Sequence, residues 1–484
     1  MNRVFLVGTV LALLDSGACG KRSEAPAEKA GSAAMAAADP ACEKAEKHGD
    51  LAWLEDDYAS ALACAKSKHV PLVVDLWAPW CHTCLSMKTT VFIDEAMAPQ
   101  ADKFVWLSLD TDREGNAAAV AKLPLSAWPT FYVLGEDESV LARFAGAASL
   151  EQFTAFLDAG LAARTATDGS AQALLAAERA LAVKDLATAD TQLEAAIKAA
   201  PPTWSRLPDA LVSWVHTKRS RKDNLGCLTV AETYLQQTGR AASVADFIGI
   251  SLECAKDVLK ADPASQARVD AFRVIALNKL FTQYADTGGQ LSIDDRSDAM
   301  TYARELLVDM GNKDEAKSVA QEQVTLLEKA IKDAPDPSVA ATYLYQLSEA
   351  YIALDRPLEA VPTLQKYATA LPKEYDPAMR LANVYVEAKR YEDAKMWADK
   401  ALSLVYGPRK SRVLEIRASI AHAQNKPAEE KLYRTQAVDL WKSLPPGQQN
   451  PDALKKAEDA LAALDAPATG SGSASAADAA AARH

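Results

Sequence analysis

Glycine and proline are scarce, 20 and 23 in 484 residues, which argues against a collagen-like, propeller-like or linker-dominated chain. The apolar run Val4 to Leu14 covers eleven residues, far short of the roughly 20 that a membrane-spanning helix needs. Basic charge is also short: 53 Lys and Arg stand against 65 Asp and Glu, for a net charge of −12. A phosphate-binding footprint needs a basic face, so no nucleic-acid partner is expected. The six histidines are scattered, with no His-x-x-x-His and no second Cys-x-x-Cys, so no metal site and no cofactor is expected. What the chain does have is an ordinary globular balance, 49% hydrophobic and 24% charged, which excludes wholesale disorder. Long alanine-rich stretches favour helix. At about 150 residues per domain, the length allows three domains, or one compact domain with an extended array.

Residues 1–19 read as an address. Arg3 precedes the short apolar run, and Ser16-Gly17-Ala18-Cys19 follows it, a secretory pattern. The stretch resembles a bacterial lipoprotein cleavage site, which implies lipidation of Cys19. Ser16 and Ala18 also satisfy ordinary signal-peptidase cleavage after Ala18, and both readings stay open. Gly20 in place of the aspartate that retains lipoproteins at the inner membrane implies an outer-membrane anchor facing the periplasm. Residues 20–43 are rich in Ala, Glu, Lys and Ser without periodicity and read as a flexible tether. Setting Cys19 aside leaves six cysteines, an even number suited to an oxidising compartment. Cys42 with Cys64, and Cys227 with Cys254, could each close a loop or remain buried thiols.

Pro71 to Trp77 is a short apolar run with β-formers, read as a buried strand. It leads into Trp80-Cys81-His82-Thr83-Cys84, after which Leu85 to Lys88 opens a helical pattern. A Cys-x-x-Cys at that junction puts the first sulfur at a helix N-terminus, where unpaired N–H groups and the helix dipole stabilise a thiolate. The second sulfur lies one turn deeper, within disulfide reach. A c-type haem site would need His directly after the second cysteine, and Leu85 stands there.

Val74-Asp75-Leu76-Trp77-Ala78-Pro79-Trp80-Cys81-His82-Thr83-Cys84 resembles the thioredoxin signature. Phe104 to Asp110 then reads as the next core strand, Ala127-Trp128-Pro129-Thr130 to Leu134 as the Pro-Thr strand, Ser139 to Phe144 with Gly146 as the final hairpin, and Leu150 to Leu157 as the closing helix. Lys88 and Val91-Phe92 look most like the C-terminal domain of the disulfide reductase DsbD and its soluble relatives. The resemblance implies that Cys81 attacks and Cys84 resolves. It implies that Asp75 is the buried acid/base, and that Pro129 is cis and, with Trp80 and Trp128, meets the substrate. His82 replaces the glycine of thioredoxin and would favour the Cys81 thiolate, raising the reduction potential.

Residues 165–465 carry no strand signals. Ala360, Ala394 and Ala428 recur every 34 residues, the period of tetratricopeptide repeats. Tyr351 with Tyr385, and Ser348 with Ala382, fall in the same register. Ala173 to Pro201 gives an earlier copy, and Gly311 to Ala316 gives a recognisable turn between more diverged segments. Six to eight stacked helix pairs are expected, with a groove suited to protein or peptide. Residues 466–484 read as a disordered tail.

The expected fold class is an α/β thioredoxin fold (44–164) followed by an all-α tetratricopeptide-repeat solenoid. The expected function is a periplasm-facing thiol-disulfide oxidoreductase, a protein-disulfide reductase rather than an oxidase because Asp75 is present. Its partners would be protein thiol or disulfide clients, a membrane or periplasmic electron donor, and a protein or peptide held by the array. The other reading is an envelope adaptor in which the thioredoxin fold only docks.

Overall fold

The computed structural model describes residues 42–464 apart from Pro202. Cys19, the expected leader 1–19, nearly all of the expected tether and the expected tail 466–484 lie outside the described residues. Among the described residues, no helix is long and apolar enough to cross a membrane.

The N-terminal α/β module is built on six strands: β1 (Glu46–His48), β2 (Leu51–Glu55), β3 (Leu72–Trp77), β4 (Val105–Asp110), β5 (Thr130–Leu134) and β6 (Val140–Ala145). Their order across the sheet is β1-β2-β4-β3-β5-β6. β3 is central, parallel to β4 and antiparallel to β5. A strand covered on both faces reads as a near-continuous apolar run, and Leu72 to Leu76 is buried throughout. Side chains alternate along the strand, so Val73 joins Trp53, Trp106, Phe131 and Phe144 on one face. That face packs on α2 (His82–Thr89) through Met87, and on α4 (Leu150–Ala162) through Phe153 and Phe156. Leu72, Val74 and Leu76 face the other way, toward Ala61 and Ala65 of α1 (Tyr58–Lys68) and Ala119 of α3 (Ala117–Lys122). Each fully buried Phe on the α4 side contributes about 1.5–3 kcal/mol. A Cys42–Cys64 disulfide fastens the start of the described chain to α1.

Sixteen further α-helices follow among the described residues. Seven antiparallel pairs make up the array: α5 (Gly169–Ala182) with α6 (Leu186–Ala199), α7 (Leu207–Ser220) with α8 (Asn224–Tyr234), α9 (Val244–Ala261) with α10 (Gln266–Tyr284), α11 (Ile293–Asp309) with α12 (Lys313–Asp333), α14 (Leu344–Ala353) with α15 (Val361–Ala370), α16 (Asp376–Glu387) with α17 (Tyr391–Leu402), and α18 (Lys410–Ala423) with α19 (Pro427–Ser443). The short α13 (Pro337–Ala341) precedes α14, and α20 (Pro451–Ala462) packs on α19. A Cys227–Cys254 disulfide joins α8 to α9.

Six of the seven pairs turn in the same way. Lys184, Lys222, Gly311, Asp355, Lys389 and Asn425 all have positive φ. In each turn the next residue's N–H reaches back to the carbonyl five positions earlier, as in Asp185 to Ala180 and Arg390 to Tyr385. This is the 6→1 bond of a Schellman cap. Five positions after each left-handed residue comes a buried residue: Ala189, Cys227, Ala316, Ala394 and Glu430, each the fourth residue of its helix, and Ala360, the last residue of the 3-10 turn that leads into α15. This corrects the 34-residue reading at its last step. Ala428 is exposed, because α19 starts at Pro427 and Glu430 takes the position that Ala394 holds in α17. The buried Glu430 carboxylate pairs with His422 at 2.8 Å and Arg434 at 3.0 Å.

The array does not trail away from the sheet but wraps round it. Arg179 of α5 donates to the Val140 carbonyl of β6 at 3.0 Å. Arg206 donates to the Arg143 carbonyl at 3.3 Å while pairing with Glu178 and Asp209, a buried ion cluster at the seam. On the opposite side of the module, Gln448 donates to the Thr111 carbonyl at 2.9 Å.

Candidate active site

Cys81 closes the loop after β3 and is the N-cap of α2, its backbone extended at φ −85° and ψ 104°. Its sulfur accepts the Cys84 N–H at 3.0 Å, and the two cysteines are joined as a disulfide. The sulfur therefore sits among the unpaired amides of a helix start, where negative charge is favoured. Trp128–Pro129 is a cis peptide. Pro129 is buried, and its carbonyl accepts the Gly146 N–H at 2.9 Å.

Asp75 lies on the face of β3 beneath α2 and is 1% exposed. Its Oδ1 has no hydrogen-bond partner. Burial pushes this carboxyl up to about 7, with Lys88 opposing the rise and Glu55 adding to it. Lys88 reaches in from α2, donates to Ser108 Oγ at 2.9 Å and stands 3.3 Å over the Trp77 ring. Burial pulls the Lys88 ammonium down and pushes Glu55 up. Below the dithiol there is thus a proton acceptor poised near neutrality, with a lysine and a second carboxylate able to share its charge. Such a group can take a proton from a buried thiol.

Above the dithiol lies the helical array. Tyr345 of α14 stacks on His82, with ring centroids 5.3 Å apart. His82 Nδ1 lies 3.0 Å from Asp294 Oδ1 and 3.1 Å from Oδ2, and Nε2 lies 3.8 Å from Asp298 Oδ1. Both carboxylates belong to α11. Ser292 Oγ, at the N-cap of that helix, is 3.3 Å from Ser86 Oγ on α2. Burial alone would push the His82 imidazole down; Asp294 and then Asp298 outweigh it and hold it at about 9. Trp80 donates to Asp112 at 2.8 Å and lies against Trp128, centroids 5.1 Å apart. Arg409 stands 4.2 Å over the Trp80 ring, and Arg380 donates to the Trp80 carbonyl at 3.4 Å. Tyr406 donates to Asp110 at 2.5 Å.

The structure brings Cys81, Cys84, Asp75, His82, Trp80, Trp128 and Pro129 together at one end of the sheet. Cys42, Cys64, Cys227 and Cys254 lie in disulfides elsewhere. Cys81 is only 5% and Cys84 1% exposed, while Trp128 is 36% exposed. In this arrangement Trp80 is occupied by the array rather than open to a client. Sequence reasoning gave no role to Glu55, Asp112, Asp294, Asp298, Arg380 or Arg409. Asp294 and Asp298 do share a helix face by their i, i+4 spacing, but nothing local links them to residue 82. Among the described residues, His82, Asp294 and Asp298 have ligand-type atoms within 4.8 Å of one another. The two imidazole nitrogens address different carboxylates, however, so the grouping is an ion-pair clamp rather than a shared cation cage.

Residues 52–134 match the thioredoxin-like family model. The α/β module is therefore called the thioredoxin-like module below. No curated protein matches the chain significantly. Among solved structures, a tetratricopeptide repeat protein from Parabacteroides merdae is 11% identical with a TM-score of 0.39, over 60% of this chain and 98% of that one. BtubC from P. vanneervenii gives 14% and 0.30, over 46% and 81%. The pilF protein of Pseudomonas aeruginosa gives 12% and 0.27, over 52% and 96%. The array's own geometry, stacked helix pairs with repeated Schellman turns, is that of a tetratricopeptide-like solenoid.

Proposed function

We propose that the protein is a thiol-disulfide oxidoreductase of the cell envelope, acting as a protein-disulfide reductase. The observation that carries this is the buried Asp75 carboxyl, its Oδ1 without a hydrogen-bond partner, beneath a Cys-x-x-Cys whose first sulfur caps a helix. In the reduced protein the Cys81 thiolate attacks a client disulfide; the client S–S bond breaks, one client thiolate leaves and a mixed disulfide forms. Asp75 takes the Cys84 proton, and the Cys84 thiolate attacks Cys81 Sγ, releasing the second client thiolate. Two electrons pass to the client, and an outside dithiol donor restores Cys81 and Cys84. Lipidation at Cys19 and a periplasm-facing position belong to the same proposal, supported by the leader-like sequence and by two disulfides remote from the site, which suit an oxidising compartment.

Peptide-resolved thiol trapping of the full chain across dithiothreitol poises tests it. A Cys81–Cys84 midpoint near about −270 mV supports a reductase, and one near about −120 mV an oxidant. A pair that does not cycle overturns the proposal, as does full dithiol activity in Cys81→Ser.

A second reading, an envelope adaptor in which the thioredoxin fold docks partners, is favoured by the cover that Arg380, Arg409 and α11 place over the dithiol face. A Cys81→Ser/Cys84→Ser chain that keeps its partner binding and its cellular phenotype supports that reading.

A further inference from the structure

His82 is the first residue of α2 and the chain neighbour of Cys81; Thr83 Oγ1 lies 3.5 Å from its Nδ1, but the closest polar partner of that nitrogen, Asp294, comes from 212 positions downstream. Asp294 is fully buried, and its carboxylate lies against Nδ1 through both oxygens. Asp298, one turn further along α11, faces Nε2 and accepts the Gln346 amide at 2.6 Å. Tyr345 stacks on the ring, and Arg380 stands 4.3 Å over Tyr345. Asp246 of α9 accepts the Ala147 N–H at 3.2 Å, and the imidazole charge opposes the upward push that burial gives its carboxyl. The His82 ring is thus held chiefly by groups of α11 and α14, neither of them in the thioredoxin-like module.

We propose that Asp294 and Asp298 are positioning residues for the dithiol, acting through His82, so that the helical array sets the redox equilibrium of Cys81 and Cys84. The inference rests on the redox reading above and adds a regulator to the same site. Reduction of the disulfide by dithiothreitol breaks the Cys81–Cys84 bond, takes two electrons and two protons from the reagent, and leaves cyclic oxidised dithiothreitol. One product, the Cys81 thiol, ionises. A cationic imidazole beside it favours the thiolate and hence the reduced pair. Burial without counter-charges would strip that cation of its proton. Asp294 prevents this, seconded by Asp298, whose own carboxyl burial pushes well up; both stand on a helix that belongs to the array. By linkage, whatever the array does for the reduced state, reduction does equally for the array's hold on the module.

The test is the Cys81–Cys84 midpoint at pH 7 in the full chain, read by peptide-resolved thiol trapping. It compares wild type, Asp294→Asn/Asp298→Asn, His82→Gln, and the triple variant, with thermal melting as the folding control. Asp294→Asn/Asp298→Asn should disfavour the reduced form at least tenfold, about 30 mV for a two-electron couple, and His82→Gln should do the same. In the His82→Gln background the two Asn substitutions should produce no further fall, the signature of an effect that passes through the imidazole. An unchanged or raised midpoint in Asp294→Asn/Asp298→Asn overturns the inference, as does an equal fall in the His82→Gln background. If the double variant does not fold, Asp294→Asn alone, which removes the carboxylate in contact with Nδ1, read in both backgrounds, decides in the same way. A wild-type pair that never cycles overturns the redox reading itself. A wild-type pair that cycles at the same midpoint as its variants overturns only this inference.

Discussion

Asp75 combines full burial, an oxygen without a partner and a carboxyl pushed up to about 7 by that burial. In the unfolded chain it would ionise near 3.9. Below that pH both states are protonated and the group is neutral to stability. Between about 4 and 7 the unfolded state loses its proton first, so stability falls, and above about 7 the full penalty applies. Asp75→Asn should therefore raise the unfolding free energy at pH 8 by about 2–4 kcal/mol and leave it unchanged near pH 3.5, as urea unfolding at the two pH values would show. The same change should slow release of the mixed disulfide, since the Cys84 proton loses its acceptor. At this scale legibility follows distance along the chain. Asp75, Cys81, Cys84 and His82 fall within ten residues, and their strand-to-helix junction could be read directly. Asp294 and Asp298 could not: two acids one turn apart on a helix normally form a solvated face, and only the tertiary fold turns them inward.

Among the elements, β3 was marked in the sequence by its apolar run, and β4, β5 and β6 by their place in the resemblance to thioredoxin. β1 and β2 were not, because Glu46–His48 is polar and exposed and Leu51–Glu55, no shorter than β5, lies upstream of the residues that carried the resemblance. The inter-helix turns were hidden for another reason. The usual marker of a Schellman turn is glycine, and only Gly311 supplies it; Lys184, Lys222, Lys389, Asp355 and Asn425 take up positive φ without it. That conformation costs an ordinary L-residue about 1–2 kcal/mol. Lys389→Gly, at φ +57°, should raise the thermal midpoint by a few degrees, and Gly311→Ala, at φ +85°, should lower it. Calorimetry on the two variants checks both signs. The Ala428 misreading has the same root. The helix starts of the last two pairs are 36 residues apart, Tyr391 to Pro427, so a fixed period slips by two just where Glu430 replaces the small residue.

On the scale of the molecule, the solenoid's helices contact the module along much of its surface, from β6 through α2 to the loop after β4. One close approach is Gly407, at φ +57°, where a Cβ would overlap the Asp112 carbonyl. It lies between Tyr406, which holds Asp110, and Arg409, which covers Trp80. Gly407→Ala should loosen this cover and speed iodoacetamide alkylation of reduced Cys81 several-fold, with the far-ultraviolet circular dichroism unchanged. Mass-spectrometric time courses would follow it. An unchanged rate means that the loop does not control access. That the helices pack round the module was not legible, because a helical repeat reveals its period but not what its helices pack against.

The bonds that shut over the dithiol join residues 296, 300 and 337 positions apart. A ribosome delivers the first partner of each such bond long before the second. The nascent thioredoxin-like module can therefore fold, and Cys81 can meet oxidants or other thiols, while the helices destined to cover it are still being made. The cysteine pair is most accessible in the youth of the molecule, and maturation ends by closing it in.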